Sequence, residues 1–150
     1  MIRDAVHTDI PRLVELGRLM HDESPEFRGL PFAADKAEKM LGALIDSPLG
    51  FVKVVDRAGS IAGGMAAAAS EHWASTALVA FDIALFIEPG SRGGAAPVGL
   101  IRAYRRWARE IGARRATAGI STGVQVQQTE SLYRALGLRY VGPIFDVLEN

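Results

Sequence analysis

Ile87-Glu88-Pro89-Gly90-Ser91-Arg92-Gly93-Gly94-Ala95-Ala96-Pro97 joins two segments of different character. Residues 76–87 before it form a long apolar run, which predicts a buried central strand. Residues 97–111 after it repeat apolar side chains at helical spacing, which predicts an amphipathic helix. A glycine-rich turn between a strand and a helix leaves backbone N–H groups unpaired at the positive end of the helix dipole. Such a turn suits an anion, and phosphate groups in particular. The sequence therefore predicts a phosphorylated ligand.

The pattern extends in both directions. In the helix, Val98, Ile101, Tyr104 and Ala108 face inward with Leu100, Trp107 and Ile111. Arg102, Arg105, Arg106, Arg109 and Glu110 cover the solvated side, and Gly112 supplies a C-cap. Residues 116–121 read as a strand, followed by a short helix ending at Leu136 with Gly137 as its cap. Residues 138–141 and 144–148 read as two last strands joined at Gly142-Pro143. Upstream, residues 2–6 form an edge strand. A helix starts at Thr8-Asp9-Ile10-Pro11, with Thr8 as N-cap and Ile10, Leu13, Val14, Gly17 and Met20 on one face. Residues 22–32 are a loop or a loose helical turn, and residues 34–46 a second helix with Ala37, Met40, Leu41, Leu44 and Ile45 inward. Residues 51–55 and 60–69 form a hairpin around Asp56-Arg57-Ala58-Gly59. Local propensity opposes the second strand, because Ala66 to Ala69 favour helix and Gly63-Gly64 favour neither state. The hairpin nevertheless requires a partner.

The 150 residues suit one domain, 1–150, with a core that needs no disulfide. A formal net charge of +0 supplies no reason to expect nucleic acid or an anionic membrane as partner. With no cysteine, thiol nucleophiles, disulfides and cysteine-bound zinc are excluded. His7, His21 and His72 lack metal-ligand spacing. The charged start, Met1-Ile2-Arg3-Asp4, lacks the apolar core of a signal peptide, and no run approaches the roughly 18 apolar residues of a spanning helix. The expectation is a cytoplasmic protein.

The order β-α-α-β-β-β-α-β-α-β-β resembles the GNAT acyl-CoA N-acetyltransferase superfamily. That family's central motif is a basic residue or glutamine, two variable positions, glycine, one variable position, then glycine or alanine. It aligns with Arg92-Gly93-Gly94-Ala95-Ala96-Pro97. A later family motif, leucine-tyrosine followed after three residues by glycine, aligns with Leu132-Tyr133-Arg134-Ala135-Leu136-Gly137. Three positions depart from the pattern. Ala95 and Pro97 replace the motif's two small residues, and Val126 replaces a frequent asparagine, with Gln125, Gln127 and Gln128 beside it. Alanine keeps its N–H, whereas proline has none.

The resemblance implies an α+β fold with a central twisted mixed sheet of six to seven strands flanked by about four helices. It implies acetyl-CoA as co-substrate, and acetyl transfer to a primary amine of a small molecule or peptide by direct attack on the thioester. The amides of Gly93, Gly94, Ala95 and Ala96, with Arg92, would hold the CoA pyrophosphate. A backbone N–H near Phe86 or Ile87 would polarise the thioester carbonyl. Tyr133 would donate a proton to the leaving thiolate. The proton acceptor stays open between Asp82, Glu71 and His72; Asp82 reads more readily as a strand residue paired with an arginine than as a catalytic group. The acceptor site would be shaped by residues 22–32, whose Asp22, Glu23 and Glu26 suit a cationic amine, and by residues 71–75. Exposed C-terminal strands would offer an edge for a homodimer. The competing reading is a non-catalytic module that holds an acyl-CoA or a protein partner on the same fold. A nucleoside-triphosphate site fits poorly, because no lysine followed by serine or threonine succeeds the glycines.

Overall fold

The computed structural model describes residues 1–148. Five strands lie side by side in chain order: β1 (Ile2–Asp4), β2 (Gly50–Arg57), β3 (Ser60–Glu71), β4 (Leu78–Ile87) and β5 (Arg115–Thr117). The first four are antiparallel, and β5 runs parallel to β4. Strand side chains alternate between faces, so each strand feeds two cores. Val52 and Val54 of β2 face α1 (Ile10–Glu23) and α2 (Ala34–Asp46), where Leu16, Leu41 and Phe86 complete one cluster. Phe51 and Val55 face α3 (Ala96–Glu110) and α4 (Val126–Ala135), where Met65, Leu100, Tyr104 and Tyr133 form the other. The expected α+β mixed sheet with four helices is present.

The alanine-rich segment is a strand despite its helical propensity. It pairs with β2 on one edge and β4 on the other, and ladder bonding on both sides outweighs a few tenths of a kcal/mol per residue. Its glycines are required by close approach. A Cβ at Gly63 would lie 2.6 Å from the Phe86 carbonyl oxygen and 2.7 Å from Ile87 Cδ1. The β3–β4 register shifts between Ala66 and Ala67, leaving Ile83 as an extra residue on β4. That bulge bends the central strand in its middle.

Two expectations at the first helix need correction. A 3-10 turn, His7–Asp9, precedes α1, so Thr8 is not its N-cap. Asp9 stands at the N-cap position of α1 without a side-chain capping bond; its carboxylate instead accepts the Val6 N–H, at the start of the 3-10 turn, at 2.9 Å and the Arg3 guanidinium at 2.8 and 3.0 Å. Leu16, absent from the expected face, is also buried.

The C-terminal end differs most. The expected strands at residues 138–141 and 144–148 do not form among the described residues, so the sheet has five strands and not six or seven. The strand expected at residues 116–121 shortens to β5, which pairs with β4 only from Val79 to Phe81. An edge of three residues is a poor template for a further pair. The Gly142-Pro143 step also removes a donor where the last two strands would meet. Ile144, Phe145, Val147 and Leu148 are consequently 74–86% exposed.

Candidate active site

The loop after β4 begins with a 3-10 turn, Pro89–Ser91, closed by Ser91 N–H on the Glu88 carbonyl at 2.9 Å. Gly93 follows at φ +84°, a left-handed conformation that only glycine takes without strain. The amides of Gly93, Gly94, Ala95 and Ala96 then meet no acceptor among the described residues, and α3 has no side-chain cap. Four successive donors are therefore presented at a helix N-terminus. Pro97, expected as the first helical residue, is the second; its missing N–H is one of those that a helix start leaves unpaired anyway. A Cβ at Gly90 or Gly93 would meet nothing within 4 Å, so the loop faces open space. Four aligned amides with room before them fit a pyrophosphate.

Arg92 does not face that space as expected. Its Nη1 and Nη2 bond both Glu23 carboxylate oxygens, at 2.7 and 2.5 Å, and its Nε donates to the Ile87 carbonyl at 2.8 Å. The cation that reaches the loop is Arg57, at the end of β2, whose Nη2 donates to the Ser91 carbonyl at 3.2 Å. A Cβ at Gly94 would lie 4.0 Å from that same nitrogen. No sequence signal singles out Arg57, because the hairpin and the loop meet only in the folded sheet. Arg12 of α1 holds the other flank, bonding the Glu88 carboxylate at 2.8 Å.

Below the loop, β4 has one free edge. Glu88 N–H donates to Ala62 of β3 at 2.9 Å, and amide direction alternates along a strand. The Phe86 N–H therefore points at β3, and the Leu85 and Ile87 amides point the other way. β5 has already ended there, since its pairing stops at Phe81. Of the two expected carbonyl-polarising amides, Ile87 faces the open edge and Phe86 does not. Leu85, which the sequence reading missed, is the second open donor.

Asp82 sits where β4 and β5 part. Both of its carboxylate oxygens accept the Gly119 N–H, at 3.1 and 3.2 Å, and no arginine pairs with it among the described residues. Burial pushes its pKa up, and the Gly119 amide partly opposes that rise. The Tyr133 hydroxyl donates to the Gly119 carbonyl at 3.3 Å, so Asp82 and Tyr133 are joined through one residue of the β5 exit. Burial and the Asp82 charge push the Tyr133 phenol up to about 12. Tyr104 is raised by the same two causes and donates to the Thr117 carbonyl at 2.9 Å.

Glu71 lies apart, exposed at the far end of β3, opposite Leu78. His72 is exposed beside it and accepts the Ala74 N–H at 3.2 Å. The structure thus brings Asp82 and Tyr133 together and leaves Glu71 and His72 outside. Of the loop acids, Glu23 is occupied by Arg92. Two cavities lie on opposite faces of the sheet. One, of about 570 Å³, lies beside Tyr133, Tyr104 and Gly119. The other, of about 210 Å³, lies on the opposite face between α1, α2 and the sheet, lined by Gly17, His21, Phe32, Met40, Ala66 and Ile83 among others. Among the described residues, no cluster of histidine and acids could hold a metal ion, and no helix is long and apolar enough to cross a membrane.

The fold has close counterparts among solved structures. The aminoglycoside N-acetyltransferase AAC(6')-Iy in complex with CoA superposes with a TM-score of 0.78 at 16% identity, covering 99% of this chain and 93% of that one. A predicted acetyltransferase with acetyl-CoA from Clostridium acetobutylicum gives 0.75 at 17% identity, covering 99% and 95%. An aminoglycoside acetyltransferase from an uncultured soil metagenomic sample gives 0.72 at 16% identity, covering 100% and 98%. No protein-family model matches the chain, and no curated protein sequence does. The fold is that of the GNAT acetyltransferases.

Proposed function

We propose that this chain, as one domain spanning residues 1–150, is an acetyl-CoA-dependent N-acetyltransferase acting on a primary amine of a small molecule or peptide. The observation that carries the reading is the row of free amides from Gly93 to Ala96, set directly above the open edge of β4. Acetyl-CoA would supply an activated acetyl thioester, whose carbon the amine attacks as the C–S bond breaks. The Gly93–Ala96 amides and Arg57 would bind the pyrophosphate, and Arg92 would hold the loop against α1. The Ile87 and Leu85 amides would donate to the thioester oxygen. Asp82, made a stronger base by burial, would in its ionised form take the proton that the amine loses. Tyr133, protonated throughout the ordinary pH range, would protonate the departing sulfur. The cytoplasm is part of the proposal, as the compartment of the reaction.

The test is calorimetric titration of acetyl-CoA into the protein and into Gly94→Asp. A Cβ at Gly94 would meet only Arg57 Nη2, at 4.0 Å, so the change adds a negative charge beside that cation without a clash. Micromolar binding that the variant loses supports the reading, and absence of binding in both overturns it. Binding without turnover across a broad amine panel supports the alternative, a non-catalytic acyl-CoA-binding module. The exposed Ile144, Phe145, Val147 and Leu148 favour burial against a second copy, so a homodimer is part of the proposal. A monomer by light scattering at micromolar concentration would remove that part.

A further inference from the structure

We infer that the acceptor is a small amine with an apolar, single-ring or short alkyl body, bound in the cavity between α1, α2 and the sheet. This rests on the acetyltransferase reading, and narrows its acceptor. The cavity reaches the central strand through Ile83, Ala84 and Phe86, the residues on either side of the open Leu85 amide. A body seated there would extend its amine toward the edge where acetyl transfer is proposed.

The lining chemistry selects the class. Among the described residues no aspartate, glutamate, lysine or arginine lines the cavity; its walls are aliphatic, aromatic and methionine side chains. A multi-ring polycation such as an aminoglycoside needs carboxylates and far more space. About 210 Å³ compares with the roughly 150 Å³ that accommodates benzene in an engineered apolar cavity. One ring fits within that volume. The acids expected to draw a cation are elsewhere: Glu23 is bonded to Arg92, and Asp22 is exposed.

His21 adds the single polar mark. It lines the cavity and packs in a T-shaped arrangement with Phe32, 5.3 Å between centroids. Its Nδ1 is buried and bonds nothing, with the nearest Asp22 oxygen 3.7 Å away. A buried imidazole nitrogen without a partner is costly. Phe32, with the Arg18 guanidinium 4.6 Å from its ring centroid, closes the side toward the 24–33 connection.

The experiment measures phenethylamine and kanamycin binding by amide chemical shifts at Gly17, His21 and Ala66, without and with acetyl-CoA, alongside acetyl-CoA calorimetry. Two variants fill the cavity from different helices. Gly17→Leu adds a side chain where a Cβ would touch only Phe32, at 3.9 Å, and Ala37→Leu does so from α2. The expected result is saturable phenethylamine binding at least tenfold tighter than kanamycin. Each folded variant should weaken it at least tenfold and leave the acetyl-CoA Kd unchanged. Preference for kanamycin, absence of phenethylamine binding, or indifference to both variants would overturn the inference. Phenethylamine binding without acetyl-CoA binding would sink the transfer reading and leave the cavity assignment standing.

Discussion

Arg92 and Glu23 form a two-pronged ion pair, Nη1–Oε1 at 2.7 Å and Nη2–Oε2 at 2.5 Å, that fastens the glycine loop to the last residue of α1. The pair holds the Glu23 carboxyl below its usual range, chiefly through the hydrogen bonds from Arg92. The motif's basic residue is thus a brace, and the positive field at the loop comes from the α3 amides and Arg57. Glu23→Ala should cost about 1 kcal/mol of stability, as for a partly exposed pair. It should also free the Arg92 guanidinium and tighten acetyl-CoA binding severalfold. Urea denaturation and calorimetry check both, and weaker binding would mean that the position of Arg92 matters more than its charge.

Gly93→Ala tests the loop backbone. At φ +84° an added Cβ costs about 1–2 kcal/mol, although no atom lies within 4 Å of it. The loop escapes that strain by rotating its amides, so acetyl-CoA affinity should drop about tenfold. Gly90→Ala, also open but not at positive φ, is the control and should change neither quantity.

Asp82→Asn separates catalysis from folding. The raised native pKa means the folded chain holds this proton more tightly than the unfolded chain. The associated stability is fully present below the unfolded value and is lost as pH rises through the folded value. At neutral pH the ionised group is therefore a burden. Asn keeps an oxygen for the Gly119 amide without a charge, so melting at neutral pH should stay level or rise. Turnover should fall about a hundredfold or more if Asp82 takes the proton. Unchanged kcat would remove Asp82 from the reaction. Tyr133→Phe should likewise lower kcat and spare acetyl-CoA binding.

Arg3 joins three parts of the N-terminal half. It bonds Asp9 at 2.8 and 3.0 Å and Asp56 at 2.8 Å, and holds both carboxyls below their usual range. Val6 N–H on Asp9 and Gly59 N–H on Asp56 push in the same direction. Groups with lowered native pKa contribute stability that is present above the unfolded value, near pH 4, and is lost as pH falls through the native value. Urea midpoints measured from about pH 6 to about pH 3 should therefore fall. Arg3→Met should flatten that slope; an equally steep slope would place the acid sensitivity elsewhere.

Some of this architecture was legible residue by residue. α2 was read to its exact bounds and α3 to within one residue, because their apolar positions recur at helical spacing. The loop was legible because its glycines, with a strand before and a helix after, state the geometry locally. Tyr133 and Asp82 were named, but nothing along the chain says that both converge on residue 119.

Other features depended on partners distant in sequence. β3 is a strand because two neighbours bond it, against the preference of its own alanines. Residues 138–148 carry strand-like sequence and form no strand, because β5 is too short to pair with them. The direction of the Phe86 and Ile87 amides follows from the β3–β4 register. Arg92 faces Glu23, 69 residues away, and Arg57 faces the loop from another hairpin. Local order follows from each residue's own backbone and side-chain preferences, which the chain carries wherever it goes. Which donor faces a ligand and which faces a carboxylate is set by contacts that exist only once the sheet has closed.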